Sequence, residues 1–189
     1  MKTFREFIKT VVKEGLVKAS SGNASYLEND QVCITRSGVW FEDINSEDIL
    51  LINREGELQK LSKFLPSIEY SLHLGIYDVR KDVNCILHCQ SPYATAFCCS
   101  PKLNVNLLCV IPEIRYYCKC ISVIDCFMPG SLELSRDVSR ASCGNDIILL
   151  KNHGQVILGE SFEEVLQRAI FLELASKIVM LNNFYVNII

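Results

Sequence analysis

The chain has 189 residues, a net charge of −3 and 49% hydrophobic residues, which is enough to build one domain with a full core. A pI near 5.7 argues against a nucleic-acid-binding surface, because no basic stripe is available to neutralise phosphates. No apolar run approaches the roughly 20 residues that cross a bilayer, and the charged N-terminus lacks the apolar segment of an export signal. We therefore expect one cytoplasmic domain over residues 1–189, with no nucleic-acid or membrane partner.

Ten cysteines are more than usual for this length. Without an export signal they are expected to be reduced thiols rather than a disulfide framework. Several lie in apolar runs where any small hydrophobic residue would serve: Cys33, Cys85, Cys89, Cys98, Cys99 and Cys109. Cys118, Cys120 and Cys126 leave a zinc site open, but their spacing is not that of a ribbon or a finger. Core packing is the favoured role.

The first third of the chain predicts one helix and several short antiparallel strands. Apolar residues at helical spacing predict an amphipathic helix over residues 4–16. A turn of small and hydroxyl residues follows at 19–26 and leads into a strand; within it, Gly22 lets the backbone approach a ligand closely. Such turns can bind phosphate but usually bind only water. Asn29 and Asp30 predict a hairpin turn, and residues 49–52 a further strand.

Residues 66–90 carry two of the three histidines and predict a helix followed by a strand. Glu69 lies at the start of the helix, and His88 and Gln90 project from the same side of the strand at its end. A carboxylate at a helix start that faces an imidazole at a strand end is a candidate metal or proton-transfer site. A further ligand has to come from elsewhere, and His153 is the histidine outside this stretch.

The second half alternates predicted helices and strands. Ser91 and Pro92 are an N-cap and a first helical residue, and Ser161 with Glu164 forms a capping-box pattern. The predicted elements are a helix at 91–97, strands at 107–111 and 120–124, a helix at 130–141, a buried strand at 146–151 and a helix from 161 to about 182.

Five short motifs occur along the chain. They are Ser21-Gly-Asn-Ala-Ser25, Ile34-Thr-Arg-Ser-Gly38, Pro66-Ser-Ile-Glu69 with His73 one turn on, Ile86-Leu-His88, and Leu149-Leu-Lys-Asn-His153-Gly154. In this order they resemble the class II aldolase/adducin family, which includes fuculose- and rhamnulose-phosphate aldolases, ribulose-phosphate 4-epimerases and methylthioribulose-phosphate dehydratase.

The resemblance implies an α/β fold, namely a class II aldolase-like three-layer α/β/α sandwich with a mostly antiparallel central sheet. It also implies a homotetramer with sites at subunit boundaries. The family's cofactor is a divalent metal, most often zinc, held by three histidines beside a glutamate that ligates the ion or acts as acid/base.

Carried over by position, Glu69 is the catalytic acid/base and a metal ligand, and His88 and His153 are metal ligands. Gln90 stands where the family has another histidine. Its amide oxygen is a weaker ligand than imidazole, so retention of the metal is left open. His73 shares a helix face with Glu69 and is expected to support the site rather than bind the ion.

The resemblance also implies a phosphate pocket. The matching positions are Ser20, Asn23, Ser37, Gly38 and Ser67. Ile68 replaces a second serine of the family pattern, and its alkyl side chain cannot donate a hydrogen bond to an anion.

The implied function is a divalent-metal-dependent aldolase-type carbon–carbon lyase, or an epimerase, acting on a small sugar phosphate through a metal-stabilised enediolate. Gln90 and Ile68 keep alternatives open: a divergent, non-catalytic or repurposed relative, or a decarboxylase or dehydratase on the same scaffold. On the residues alone, His88 and His153 would be hydrogen-bonded core histidines, and Glu69 would only complement its helix dipole.

Overall fold

The computed structural model describes residues 3–118 and 120–186. Its strands are β1 (Gly22–Glu28), β2 (Gln31–Thr35), β3 (Ile49–Ile52), β4 (Cys85–Cys89), β5 (Ile121–Ile124), β6 (Ile147–Leu150) and β7 (Gly154–Gly159). Its α-helices are α1 (Phe4–Lys13), α2 (Tyr70–Val79), α3 (Pro92–Cys98), α4 (Pro112–Tyr117), α5 (Leu132–Ser142) and α6 (Phe162–Val186).

The strands form one seven-stranded sheet in the order β3-β2-β1-β4-β7-β6-β5. Neighbouring strands are antiparallel except for the β5–β6 pair, which is parallel. The predicted α/β class with a mostly antiparallel sheet is therefore confirmed. In the middle of the sheet, β4 pairs with β1 on one side and with β7 on the other.

Two apolar cores lie on opposite faces of the sheet. Alternation along β4 sends Leu87 and Cys89 into a first core with residues of α1, α3, α4 and α6. Ile86 enters a second core with residues of α2 and α5. By the same alternation His88 shares its face with Ile86, so it lies on the side that α2 covers.

The β1–β2 hairpin confirms the turn predicted at Asn29 and Asp30. Both residues have positive φ, 50° and 63°, as a two-residue type I′ connection requires. The α1 prediction is also confirmed, with Phe4, Phe7, Ile8 and Val11 buried. At the other end of the chain, the Glu164 backbone N–H donates to Ser161 Oγ at the start of α6.

Three predictions were wrong. Residues 107–111 form no strand, because a 3₁₀ turn (Val105–Leu108) leads into α4; Pro112 has no N–H for a ladder and suits the first helical turn. The helix predicted from Pro66 begins at Tyr70, since Pro66 bridges to Arg36 beside β2. Cys99 and Cys109 are exposed rather than packed in a core.

All ten cysteines are free thiols. Burial raises the pKa of Cys89, Cys98 and Cys118 to about 12, so these three are inert packing residues rather than nucleophiles. Among the helices described, none combines the length and the apolar character that a bilayer crossing needs.

Candidate metal centre

The sheet register brings distant segments of the chain to one point. Asn23 of β1 lies opposite His88 of β4, and His88 lies opposite Val156 of β7. The turn between β6 and β7 carries His153, and Asn152 adopts a positive φ of 55° there. Glu69 is the N-cap residue of α2, above the same face of the sheet.

Glu69, His88 and His153 converge in this structure. The two Nε2 atoms of the histidines are 3.2 Å apart. Glu69 Oε2 lies 3.2 Å from His88 Nε2, and Glu69 Oε1 lies 3.7 Å from His153 Nε2. One ligand atom from each residue lies within 4.8 Å of the others. Within the described ranges, this is the only such group of metal-ligating side chains.

The orientation of His88 is fixed by its other ring nitrogen. His88 Nδ1 lies 3.0 Å from the backbone carbonyl oxygen of Gln155, so Nδ1 carries the proton and donates it. Nε2 therefore presents a lone pair to the centre, the arrangement by which proteins orient metal-binding imidazoles.

The two carboxylate oxygens of Glu69 differ in their hydrogen bonds. Asn23 Nδ2 donates to Oε2 at 2.9 Å, whereas the buried Oε1 has no hydrogen-bond partner among the described residues. A buried carboxylate oxygen without a partner is costly unless a cation or a proton reaches it. Two imidazole nitrogens and this oxygen suit a first-row divalent ion and leave positions open for a substrate, so the residues present fit a metal.

Burial favours the neutral form of the imidazoles around this point. The pKa of His153 is lowered first by desolvation and then by the nearby His88, although Glu69 opposes the shift. The pKa of His73 is lowered to about 3, again mainly by burial and secondarily by His88. Neutral imidazole is the form that binds a metal, so the lowered pKa of His153 favours the protonation state that a metal ligand needs.

Gln90 follows the last residue of β4 and is exposed. A side-chain carbon added at Gly154 would meet Cys89 O at 2.5 Å and Gln90 Cγ at 3.1 Å. The Gln90 side chain therefore runs past Gly154, the residue next to His153. Gly154 is needed for this close approach of β4 and β7, because any side chain there would force the two strands apart.

The residues predicted to bind phosphate lie on segments that backbone hydrogen bonds join. The N–H of Ser37 donates to Leu65 O at 2.9 Å, and that of Ser67 donates to Thr35 O at 3.1 Å. Phe41 N–H donates to Ala19 O, which connects the loop that contains Ser20. Ser20, Ser37 and Gly38 are exposed, whereas Ser67 is buried and accepts a hydrogen bond from Glu69 N–H.

Asn23 is committed to neighbouring side chains rather than exposed to a ligand. It is buried, donates to Glu69 Oε2 and contacts His73 Nε2 through its Oδ1. His73 lies outside the metal-ligating group and contacts Asn23 and Ser25.

Sequence reasoning missed Ser25 and Tyr77, which continue this network beyond His73. Spacing is the signal that could have found them. Ser25 follows Asn23 by two residues and so shares its strand face, and Tyr77 follows His73 by four residues on one helix face.

Glu173 supports the start of a helix. Its carboxylate accepts hydrogen bonds from Ser91 Oγ and from the backbone N–H groups of Tyr93 and Ala94, at 2.7–2.9 Å. These contacts tie the start of α3, which directly follows β4 and Gln90, to α6.

Comparison with known proteins identifies the family. The model of the class II aldolase and adducin N-terminal domain matches residues 3–180. An L-fuculose phosphate aldolase of Methanococcus maripaludis is 36% identical over 168 residues, which cover 88% of each chain. A 3-oxo-tetronate 4-phosphate decarboxylase of Escherichia coli is 26% identical over 89% of this chain and 80% of its own length.

Solved structures agree on the fold. The L-fuculose-1-phosphate aldolase of Thermus thermophilus superimposes with a TM-score of 0.81 at 22% identity, covering 97% of this chain and 94% of its own. The motifs, the convergent glutamate and histidines, and these matches have one explanation: the chain belongs to the class II aldolase and adducin N-terminal domain family.

Proposed function

We propose that this protein is a divalent-metal-dependent lyase of the aldolase type that cleaves or forms a carbon–carbon bond in a small sugar phosphate. The observation that carries the proposal is the convergence of His88 Nε2, His153 Nε2 and the unpartnered Glu69 Oε1. The similarity to L-fuculose phosphate aldolases supports the substrate class. We take residues 1–189 as one catalytic domain of a cytoplasmic homotetramer.

Glu69, His88 and His153 would hold the ion, with zinc the first candidate and Gln90 a further, oxygen-donating ligand. When bound, the ion would supply Lewis acidity, drawing charge from a substrate oxygen as the carbon–carbon bond breaks or forms. His88 contributes a ring whose orientation Gln155 fixes, so its lone pair does not have to be reoriented.

Glu69 is the proposed acid/base. Because Asn23 already donates to Oε2, Oε1 would be the atom that takes up and returns a proton when it is not bound to the ion. A carboxyl group in this role must lie beside the reacting atoms, and proton transfer of this kind contributes about 10²–10⁴-fold in rate. Burial of Glu69 keeps bulk water from competing for that proton.

The phosphate of the substrate would lie against the joined segments that carry Ser20, Ser37, Gly38 and Ser67. The serine hydroxyls are suitable donors for an anion, since the backbone N–H groups of Ser37 and Ser67 already donate within the protein. Asn23 lies at the inner end of this pocket and connects it to Glu69.

A decarboxylase is the second candidate. Ile68, which is 61% exposed, puts an alkyl group where the family pattern has a hydroxyl donor, and a decarboxylase is among the similar proteins. This candidate keeps the metal and the acid/base and changes only the bond that breaks.

The test is to load the purified chain with Zn²⁺, Mn²⁺ or Co²⁺ and assay it with L-fuculose phosphate and with 3-oxo-tetronate 4-phosphate. Aldehyde release from the first substrate supports the lyase, and carbon dioxide release from the second supports the decarboxylase. Glu69→Gln should lower kcat by about 10²–10⁴-fold, whereas Glu55→Gln in the exposed 53–57 turn should not.

Turnover of neither substrate, together with less than a tenth of an equivalent of bound metal after incubation (a rough threshold for a site that needs its ion), would contradict the proposal. It would leave the non-catalytic, repurposed relative as the remaining interpretation.

A further inference from the structure

A single line of buried hydrogen bonds leads from Tyr77 to Glu69. Tyr77 Oη lies 2.8 Å from Ser25 Oγ, and Ser25 Oγ lies 2.7 Å from His73 Nδ1. His73 Nε2 lies 2.6 Å from Asn23 Oδ1, and Asn23 Nδ2 lies 2.9 Å from Glu69 Oε2. Ser25, His73 and Tyr77 are completely buried, so bulk water does not reach the links among these three residues.

The Glu69 carboxylate fixes the donor and acceptor in the two hydrogen bonds nearest to it, Asn23–Glu69 and His73–Asn23. An ionised carboxyl group only accepts hydrogen bonds, so the Asn23 atom beside Glu69 Oε2 must be the NH₂ group. Asn23 therefore turns its carbonyl oxygen to His73, and His73 Nε2 must carry a proton to donate to it.

The burial of His73 fixes the remaining links. Within the described residues, the hydrogen-bond partners of this ring are Ser25 and Asn23 rather than a carboxylate. Burial lowers its pKa to about 3, so the imidazole is neutral and carries only one proton. Since Nε2 holds that proton, Nδ1 accepts from the Ser25 hydroxyl. Ser25 has then used its proton, and its oxygen accepts from the Tyr77 hydroxyl.

We propose that His73 is a positioning residue, held by Ser25 in the Nε2-protonated form, which locks the Asn23 amide in the orientation that donates to Glu69 Oε2. The inference deepens the proposed function, since it explains why Oε1 is the free oxygen of the acid/base and ligand. The opposite tautomer would bring the lone pair of Nε2 against the Asn23 carbonyl. The amide would then turn, and its oxygen would face the Glu69 carboxylate.

The tautomer is directly measurable. The chain has three histidines, so ¹⁵N NMR of the side chains of the full chain is simple to assign, with His73→Gln identifying the resonances of His73. We expect a protonated Nε2 and a bare Nδ1 at His73, and the reverse at His88, whose Nδ1 donates to Gln155. A proton on His73 Nδ1 would overturn the proposal, and this readout does not depend on activity.

Variants test the consequence for the centre by titration with Zn²⁺. Ser25→Ala removes the donor to Nδ1 and should weaken Zn²⁺ binding by about 10–100-fold, the usual effect of losing a group that orients a ligand. Ser176→Ala is the matched control, because Ser176 is an equally buried serine on α6 whose hydroxyl has no partner in the described structure. It should leave binding unchanged.

A second pair of variants separates positioning from packing. His73→Gln keeps an N–H donor for Asn23 and should retain binding within a few-fold, whereas His73→Leu removes the donor and should lose about 10–100-fold. Equal losses in the two variants, with Ser25→Ala unaffected, would overturn the proposal. A wild-type chain that binds no Zn²⁺ would instead contradict the proposed function, and the NMR result would still decide the role of His73.

Discussion

At the residue scale, the centre combines two imidazoles and one carboxylate, and a glutamine follows β4 where the family pattern has a third histidine. Gln90 lies two residues beyond His88 and runs past Gly154 toward the turn that carries His153. An amide oxygen is a weaker ligand than an imidazole nitrogen for zinc. On the proposed function, the residue at this position would tune metal affinity and selectivity, while Glu69, His88 and His153 would hold the ion.

Gln90→His should tighten Zn²⁺ binding by at least about tenfold, because it replaces an amide oxygen with an imidazole two residues along the chain from His88. Calorimetric titration of the two chains measures the difference. Gln90→Ala provides the opposite control and should bind no better than wild type. Unchanged affinity in Gln90→His would show that position 90 does not reach the ion.

The buried His73 predicts a loss of stability in acid. Its folded-state pKa is about 3 and the usual value is 6.5, so the unfolded chain binds the extra proton between these two values. Stability is fully present above about pH 6.5 and falls as pH drops, by about 1.4 kcal/mol per pH unit once His73 in the unfolded chain is protonated. Urea unfolding at several pH values measures this slope.

His73→Gln is the control for the acid effect, since it removes the titrating ring. In that variant, the slope of the free energy of unfolding against pH should be smaller by about 1.4 kcal/mol per pH unit, the contribution of one proton, over the same pH window. An identical slope in the two proteins would mean that other groups cause the acid sensitivity.

At the element scale, the parts of the fold that were predictable are those in which local chemistry and packing agree. The β1–β2 hairpin follows from Asn29 and Asp30, which tolerate positive φ. Helix α1 follows from a regular apolar stripe, and α6 from the Ser161 cap. In each case, the residues that predict the element lie within one short stretch of the sequence.

The elements that were missed depend on contacts far along the chain. The pairing of β7 with β4 follows from the sheet register and not from its own residues. Residues 107–111 have the apolar character of a strand but precede Pro112, which favours a helix. The meeting of Glu69 and His88 with His153 was proposed from their places in the predicted elements and supported by the family resemblance. Ser25 and Tyr77 needed the register to be recognised.

Glu173 of α6 connects that helix to the start of α3, which follows β4 and Gln90. Its carboxylate accepts three hydrogen bonds from the beginning of α3. Glu173→Ala should destabilise the chain by about 2–3 kcal/mol, because it leaves buried donors without their charged acceptor. Thermal or urea unfolding checks this.

Glu163→Ala on the exposed side of α6 is the matched control. It should change the free energy of unfolding by less than about 0.5 kcal/mol, as surface substitutions usually do. Equal effects in the two variants would contradict the proposed role of Glu173.

At the scale of the whole molecule, an ion that binds only the folded chain must stabilise it. Zn²⁺ at a hundred times its dissociation constant contributes about 2.7 kcal/mol, which for a chain of this size raises the Tm by about 5–10 °C. His88→Ala and His153→Ala should each abolish this rise. A chelator should reverse it in the wild-type chain, and a Tm that does not respond to metal would contradict the metal centre.

The central position of β4 determines when, during synthesis, the residues of the candidate metal centre can come together. Both neighbours of this strand are remote in sequence, β1 near the beginning and β7 some 65 residues later. Each pairing therefore loses the entropy of closing a long loop before its hydrogen bonds and side-chain contacts form. During synthesis, a nascent chain that has exposed His88 still has an incomplete pocket, because His153 has not yet left the ribosome. On the proposed function, binding of the ion by the complete set of ligands would therefore follow emergence of the turn between β6 and β7.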